Sequence, residues 1–241
     1  MKDIEIINNS IDINKEEGFI FDNNNLIVNK DSNIFIYITK SDLALNIKIL
    51  KSLKVEINFI VIDSNITLKY QIDDNSSLIV NNFNVDTNFD IKIDLEEESI
   101  ITYNYSIVSN INNILIMTIN HLKNKSKSYI YNHGINIKEL LEFNITAKVL
   151  TNIFDCISEQ DNKIIYLNEA KSVIYPNLLV ENNEIIAKHN AYIGQFNEDD
   201  IFYLLTRGIN RSKAISLMIK GNLLGNMKED YKFLSECLKL I

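Results

Sequence analysis

The chain has 241 residues with 24 basic and 32 acidic side chains, a net charge of −8 that offers no basic face to nucleic acid or to an anionic membrane. Hydrophobic residues make up 46%, ample for the core of one large domain or two smaller ones, while Gly (6) and Pro (1) are scarce. No apolar stretch follows Met1-Lys2-Asp3 in the manner of a signal peptide, and none approaches the roughly 18 residues of a membrane span, so a cytoplasmic protein is expected.

In chain order, the first pattern is alternation. The segments "IFIYI" (34–38), "VEINF" (55–59), "ITLKY" (66–70), "IKIDL" (91–95) and "EFNITAKV" (142–149) place β-branched or aromatic side chains at every second position. Clusters of Asn, Asp and Ser at 22–25, 30–33, 73–77 and 109–113 separate them and suit turns, because their short side chains bond nearby backbone groups. Up to about residue 187 no stretch of useful length follows a 3.6-residue period, so the first three quarters predict an all-β body. Asn-Gly and Asp-Gly are absent, and His133-Gly134 is the nearest approach to a two-residue hairpin signal. Many short strands without hairpin turns predict a β-solenoid, each strand stacking on its equivalent one coil later, with Asn ladders at the corners. No sharp repeat period is visible, and a two-sheet sandwich is the competing architecture.

Past residue 196 the pattern turns helical. Asn197 precedes Glu198, Asp199 and Asp200, an N-cap with acidic first-turn residues, and Ile201, Leu204 and Leu205 mark one apolar face. Gly208 sits where a helix would stop. Asn210 can cap a second helix carrying Ala214, Ile215, Met218 and Ile219, and a third is expected from about Met227 with Tyr231, Leu234, Leu238 and Ile241 on one side. These faces either pack on the body or present a partner surface.

Little in the chain suggests chemistry of its own. Cys156 and Cys237 stand far apart with no CxxC, which predicts two reduced thiols. His121, His133 and His189 are scattered, and a histidine at a strand end is in the first instance a structural residue. The densest acidic run, "DLEEES" (94–99), is accounted for by a solvated turn. No GxxxxGK[ST] loop is present, so any nucleotide hydrolysis must come from a partner.

One stretch carries a family pattern. Asn183-Glu184 precede a short strand with His189-Asn190-Ala191-Tyr192-Ile193-Gly194. After it come an acidic helix start, Phe202-Tyr203-Leu204, Arg207-Gly208-Ile209 and a helix with "AISLMIKGNLL" (214–224). In this order, over about sixty residues, they resemble the C-terminal core of the SufB/SufD scaffold proteins of SUF iron–sulfur cluster assembly. The resemblance implies a right-handed parallel β-helix at 1–196 and a C-terminal helical segment at 197–241 that docks a SufC-like ABC ATPase, with Phe202, Tyr203, Arg207 and Gly208 near the docking element. It implies a non-catalytic subunit pairing with a SufB-like subunit, or with a second copy, through the end of the β-helix. His189, with Asn190 beside it, would then be a metal ligand to a transient iron–sulfur cluster shared across that interface. The chain departs from the family at Ala187, where SufD-like members often carry Cys. It departs again at Asn190, where SufB-like members carry Glu, and at Asp161, the best match to the SufB-like cysteine. The helical N-terminal extension is missing too, which points to a short, SufD-like protein. The alternatives are a purely structural partner without cluster contact and, less well supported, a β-helix enzyme acting on acidic polysaccharide.

Overall fold

The computed structural model describes residues 3–13, 18–182, 184–227 and 231–240. Seventeen strands, numbered along the chain, form two facing sheets. The front sheet holds β1 (Ile4–Ile7), β2 (Ser10–Ile13), β5 (Ser32–Thr39), β7 (Lys54–Ile62), β9 (Ser77–Val85), β11 (Ile100–Ser109), β13 (Lys127–Asn136), β15 (Ile157–Tyr166) and β17 (Ile186–Gly194). The back sheet holds β3 (Phe19–Asp22), β4 (Asn25–Val28), β6 (Asp42–Ile49), β8 (Asn65–Ile72), β10 (Asn88–Leu95), β12 (Asn113–His121), β14 (Leu140–Val149) and β16 (Lys171–Val180). From β5 onward successive strands alternate between the sheets and every pairing is parallel, so the chain winds as a β-solenoid of about 6 turns. A sandwich would share the two layers but join neighbours by hairpins; here each neighbour lies one coil away.

Stacking puts equivalent residues in columns. Ile34, Ile57, Val80, Tyr103, Ile130, Gln160 and His189 pair in succession on the inner side of the front sheet. The first four fall at a constant step of 23 residues, and the later steps lengthen to 27, 30 and 29. A repeat therefore exists that the sequence reading did not find. Between the sheets lies one core of Ile, Leu, Val and aromatic side chains, among them Ile36, Phe59, Leu68, Tyr103 and Phe143. Each fully buried aliphatic chain contributes roughly 2 kcal/mol by leaving water.

The corners do not use glycine. One row is turned by Lys40, Asp63 and Asp86 and another by Ser52, Asn75, Glu98, Lys125 and Asp155, all with φ between 48° and 61°. A left-handed conformation costs a non-glycine residue about 1–2 kcal/mol. The stack offsets it by carrying the backbone ladder round the bend: Lys40 N–H donates to Ile62 C=O, Asp63 to Val85 and Asp86 to Val108.

Two expectations need correction. Two-residue hairpins do occur: Asn8-Asn9 joins β1 to β2 and Asn23-Asn24 joins β3 to β4, with φ of 49°, 63°, 44° and 62°. Asn-Asn supplies the paired left-handed residues of a type I′ turn without glycine. His133-Gly134, by contrast, is no turn but the interior of β13, where a Cβ on residue 134 would stand 2.6 Å from Leu141 Cδ2. The expected Asn stacking occurs at a corner, where Asn88 Nδ2 donates to Asn65 Oδ1 at 2.9 Å, and a longer ladder runs on a strand face. On the outer side of the front sheet Asn81 Nδ2 donates to Asn58 Oδ1 and Asn104 Nδ2 to Asn81 Oδ1, each at 2.8 Å, and all three side chains are buried.

Three helices follow the last coil: α1 (Glu198–Thr206), α2 (Arg211–Leu224) and α3 (Tyr231–Leu238). α2 and α3 lie on one outward column of the front sheet: Tyr37, Ile60, Phe83, Ser106, His133, Lys163 and Tyr192. Its apolar half, with Phe35, packs against Phe233 and Cys237 of α3, Phe35 meeting Phe233 edge to face at 5.9 Å. Its middle is polar and caps α2, since Ser106 Oγ donates to Leu223 C=O at 2.5 Å and His133 Nδ1 lies 2.8 Å from Asn222 C=O. Carbonyls that α2 leaves unpaired at its C-terminus are thus satisfied by the body. The buried stripe of α3 is Phe233 and Cys237, one position off the expected face, and Leu238 is exposed. Residues 228–230 and Ile241, to which that expectation extended, lie outside the described residues, and Met227 joins the cluster ahead of the helix.

Candidate functional site

The solenoid has unequal ends. At the N-terminal end the two antiparallel hairpins lie against the first coil, whereas β16 and β17 form the last coil and carry no further strand among the described residues. Inward-facing residues of that coil (Ser172, Ile174, Pro176 and Leu178 on β16; Ala187, His189, Ala191 and Ile193 on β17) correspond in register to core positions one coil earlier. The only proline of the chain, Pro176, thus sits on an edge strand, where a missing N–H is tolerated.

Parallel pairing places His189 on the inner side of the front sheet, directly over Gln160. With no later coil above it, the imidazole is exposed. Its inward neighbours two residues away are the small Ala187 and Ala191, which leave the ring uncrowded. Asn190 faces the opposite way: its Nδ2 donates to Asp161 Oδ1 at 3.0 Å on the outer side. His189 and Asn190, adjacent in sequence, are therefore not brought together by the fold. The side-chain amide of Asn162, one coil down, donates instead to the Asn190 backbone C=O at 3.2 Å.

Beside this end stands the α1–α2 hairpin. Asn197 caps α1 by accepting from Asp199 N–H at 3.0 Å, and Asn210 caps α2 by accepting from Lys213 N–H at 2.9 Å. Gly208, at φ +80°, ends α1: its N–H donates to Leu205 C=O and that of Ile209 to Leu204 C=O, the paired bonds of a Schellman stop. The Arg211 guanidinium grips both carboxylate oxygens of Glu198 at 2.8 and 2.6 Å, tying the two helices and holding that carboxyl below its usual range. Of α1 only Ile201 is buried. Phe202 and Tyr203 are 66% and 57% exposed, with Arg207 stacked on Tyr203 at 5.2 Å from the ring centroid. Phe202, Tyr203 and Arg207 thus gather on one solvated helix. A groove of about 580 Å³ separates the hairpin from the front sheet, lined by His133, Asp161, Lys163, Tyr192 and Asp200.

The other histidines are structural. His133 Nε2 lies 3.7 Å from Asp161 Oδ2 while Nδ1 holds α2. His121 is sealed in the solenoid at 1% exposure, with Nδ1 2.8 Å from Ser126 Oγ and Nε2 3.0 Å from Ser128 Oγ. Burial without a carboxylate partner pushes its pKa down to about 4. Ser126 Oγ also lies 3.4 Å from Cys156 Sγ, and both cysteines are free and buried. Acids of the "DLEEES" run occupy a corner, where Glu96 and Glu98 pair with Lys123 and Lys125 at 3.0 and 2.8 Å. Among the described residues no three His, Cys, Asp or Glu side chains converge to hold a metal, and no helix is long and apolar enough to cross a membrane. Asn183 of the sequence pattern lies outside the described residues. Two features escaped the sequence reading, the Gln160 neighbour of His189 and the His133 cap, because both depend on strand register.

Residues 65–222 match the family model described as "SUF system FeS cluster assembly, SufBD core domain". The iron–sulfur cluster assembly protein SufD of Bacillus subtilis is 31% identical over 104 residues, 42% of this chain and 24% of that protein. A SufBD family protein of Porphyra purpurea is 30% identical over 103 residues, 42% of this chain and 21% of its own length. One from Pyrococcus horikoshii is 32% identical over 79 residues, covering 32% and 18%. The matched part is about a quarter or less of the length of each of these three relatives.

Proposed function

Because this chain belongs to the SufB/SufD family of SUF iron–sulfur cluster assembly proteins, we propose that it is a non-catalytic scaffold subunit of such an assembly complex. In this reading the cluster is cargo. The last coil pairs edge to edge with a SufB-like subunit, or with a second copy, and His189 lends an imidazole to a cluster otherwise held by partner sulfur. Thiolates hold most clusters and a neutral imidazole nitrogen serves as an occasional ligand, so one exposed histidine suffices only if the remaining ligands come from across the interface. The α1 helix, with Phe202, Tyr203, Arg207 and the Gly208 turn, receives a SufC-like ABC ATPase. The observation that carries the reading is the uncovered terminal coil with His189 on its inner side and apolar side chains, Ile186 and Ile193 among them, left in solvent.

A second reading draws on Ala187 and Asn190: a structural partner that pairs through the same coil without touching cluster. Co-expression with a SUF-type ATPase and a SufB-like subunit, followed by size exclusion and iron and sulfide determination, tests both. The scaffold reading expects a complex that carries cluster. It expects His189→Ala to keep the complex and lose the cluster, and the double variant Phe202→Ser, Tyr203→Ser to release the ATPase. An intact cluster load in His189→Ala would select the structural-partner reading, and failure of the wild-type chain to co-elute with either protein would overturn both.

A further inference from the structure

We infer that Gln160 is a positioning residue for His189, one that fixes the tautomer of the imidazole and aims its free nitrogen out of the open end. This rests on the scaffold reading for its purpose, though not for its geometry. Gln160 lies on β15 in register with His189 of β17, on the same inner face, and is 3% exposed. Its Nε2 is committed across the interior to Asn177 C=O of β16 at 3.4 Å. Its Oε1 is buried and accepts no hydrogen bond from the described residues. A buried amide oxygen is seldom left without a donor, because burial strips it of water without replacement. The neighbouring strand runs about 4.8 Å away, within side-chain reach, and the residue it places over this oxygen is the imidazole. Ala187 and Ala191, beside His189 on that face, offer no donor.

A ring N–H given to Gln160 Oε1 leaves the other ring nitrogen with its lone pair, the form in which imidazole binds a metal. Metal-binding histidines are commonly held through the second nitrogen in this way. The same column is aliphatic in its first coils, at Ile34, Ile57 and Val80, and becomes polar only one step beneath the histidine.

The test uses the full chain labelled with nitrogen-15 and no iron, following both ring nitrogens of His189 by long-range proton–nitrogen correlation from pH 5 to 9. Wild type is expected to hold one tautomer. Gln160→Met, of similar volume but without an acceptor, should show a tautomer mixture, and Gln160→Glu, which keeps an acceptor, should hold the single tautomer. A mixture in wild type, or a single tautomer retained in Gln160→Met, would overturn the inference. A fixed tautomer combined with a full cluster load in His189→Ala would remove the scaffold reading and leave the Gln160 contact standing; the opposite pair of results would do the reverse.

Discussion

The sealed His121 gives a quantitative handle on the solenoid interior. Its folded-state pKa of about 4 lies below the unfolded value of about 6.5. Between those values the unfolded chain binds a proton that the folded chain refuses, so stability is complete above pH 6.5 and falls as the pH drops. The slope is about 1.4 kcal/mol per pH unit for one proton. Integrated, the loss is about 2 kcal/mol between pH 7.5 and pH 5 and about 3 kcal/mol by pH 4. Carboxylates with lowered pKa, such as Asp74 and Glu198, act in the same direction but mainly below pH 5. Urea unfolding at pH 7.5, 6.5, 5.5 and 5.0, for wild type and for His121→Gln, isolates the histidine. Gln retains a donor and an acceptor for Ser126 and Ser128 but has no proton to gain in this range. The variant should lose about 2 kcal/mol less than wild type over that span, whatever its stability at pH 7.5. Parallel pH curves for the two proteins would show that the ring is hydrated in solution and would refute the argument.

Other perturbations follow from packing. Phe233→Ala should cost about 3–5 kcal/mol in urea unfolding, since the ring is 1% exposed in the cluster that joins α3 to the front sheet. Gly208→Ala should weaken the α1 stop by about 1 kcal/mol, read as faster amide exchange confined to residues 198–209; a Cβ there meets no atom within 4 Å, so the whole effect is backbone strain at φ +80°. Asn81→Ala should cost roughly 3 kcal/mol, because it strands the amide oxygen of Asn58 and the amide nitrogen of Asn104 in a buried ladder, and a midpoint unchanged within error would show that water fills the gap.

The solenoid was readable because strand alternation and the shortage of tight-turn glycine are both written locally. "IFIYI", "VEINF" and "ITLKY" all fall inside observed strands. The 23-residue step was not visible because stacking preserves only the class of a side chain. Ile34, Ile57, Val80 and Tyr103 share a column with three residue types among them, and Lys40, Asp63 and Asp86 turn equivalent corners with two. The helix caps Asn197 and Asn210 were legible because a cap acts within three residues. The buried face of α3 was not, because the sheet beneath it, a segment nearly two hundred residues earlier, decides which stripe is covered. His189 stood out by its surrounding pattern. That Asn190 turns away from it follows from strand alternation, and Gln160 could be found only once register was known.

The hairpins at the N-terminal end have a consequence for assembly. A β-rod whose two termini were alike could add copies indefinitely and lengthen into a fibre. Here β1–β2 and β3–β4 reverse direction and expose only four-residue margins at one tip, while ten- and nine-residue margins are free at the other. Long open margins thus stand at one tip only, and on the scaffold proposal a pairing made through that tip joins two molecules and leaves no comparable edge for a third.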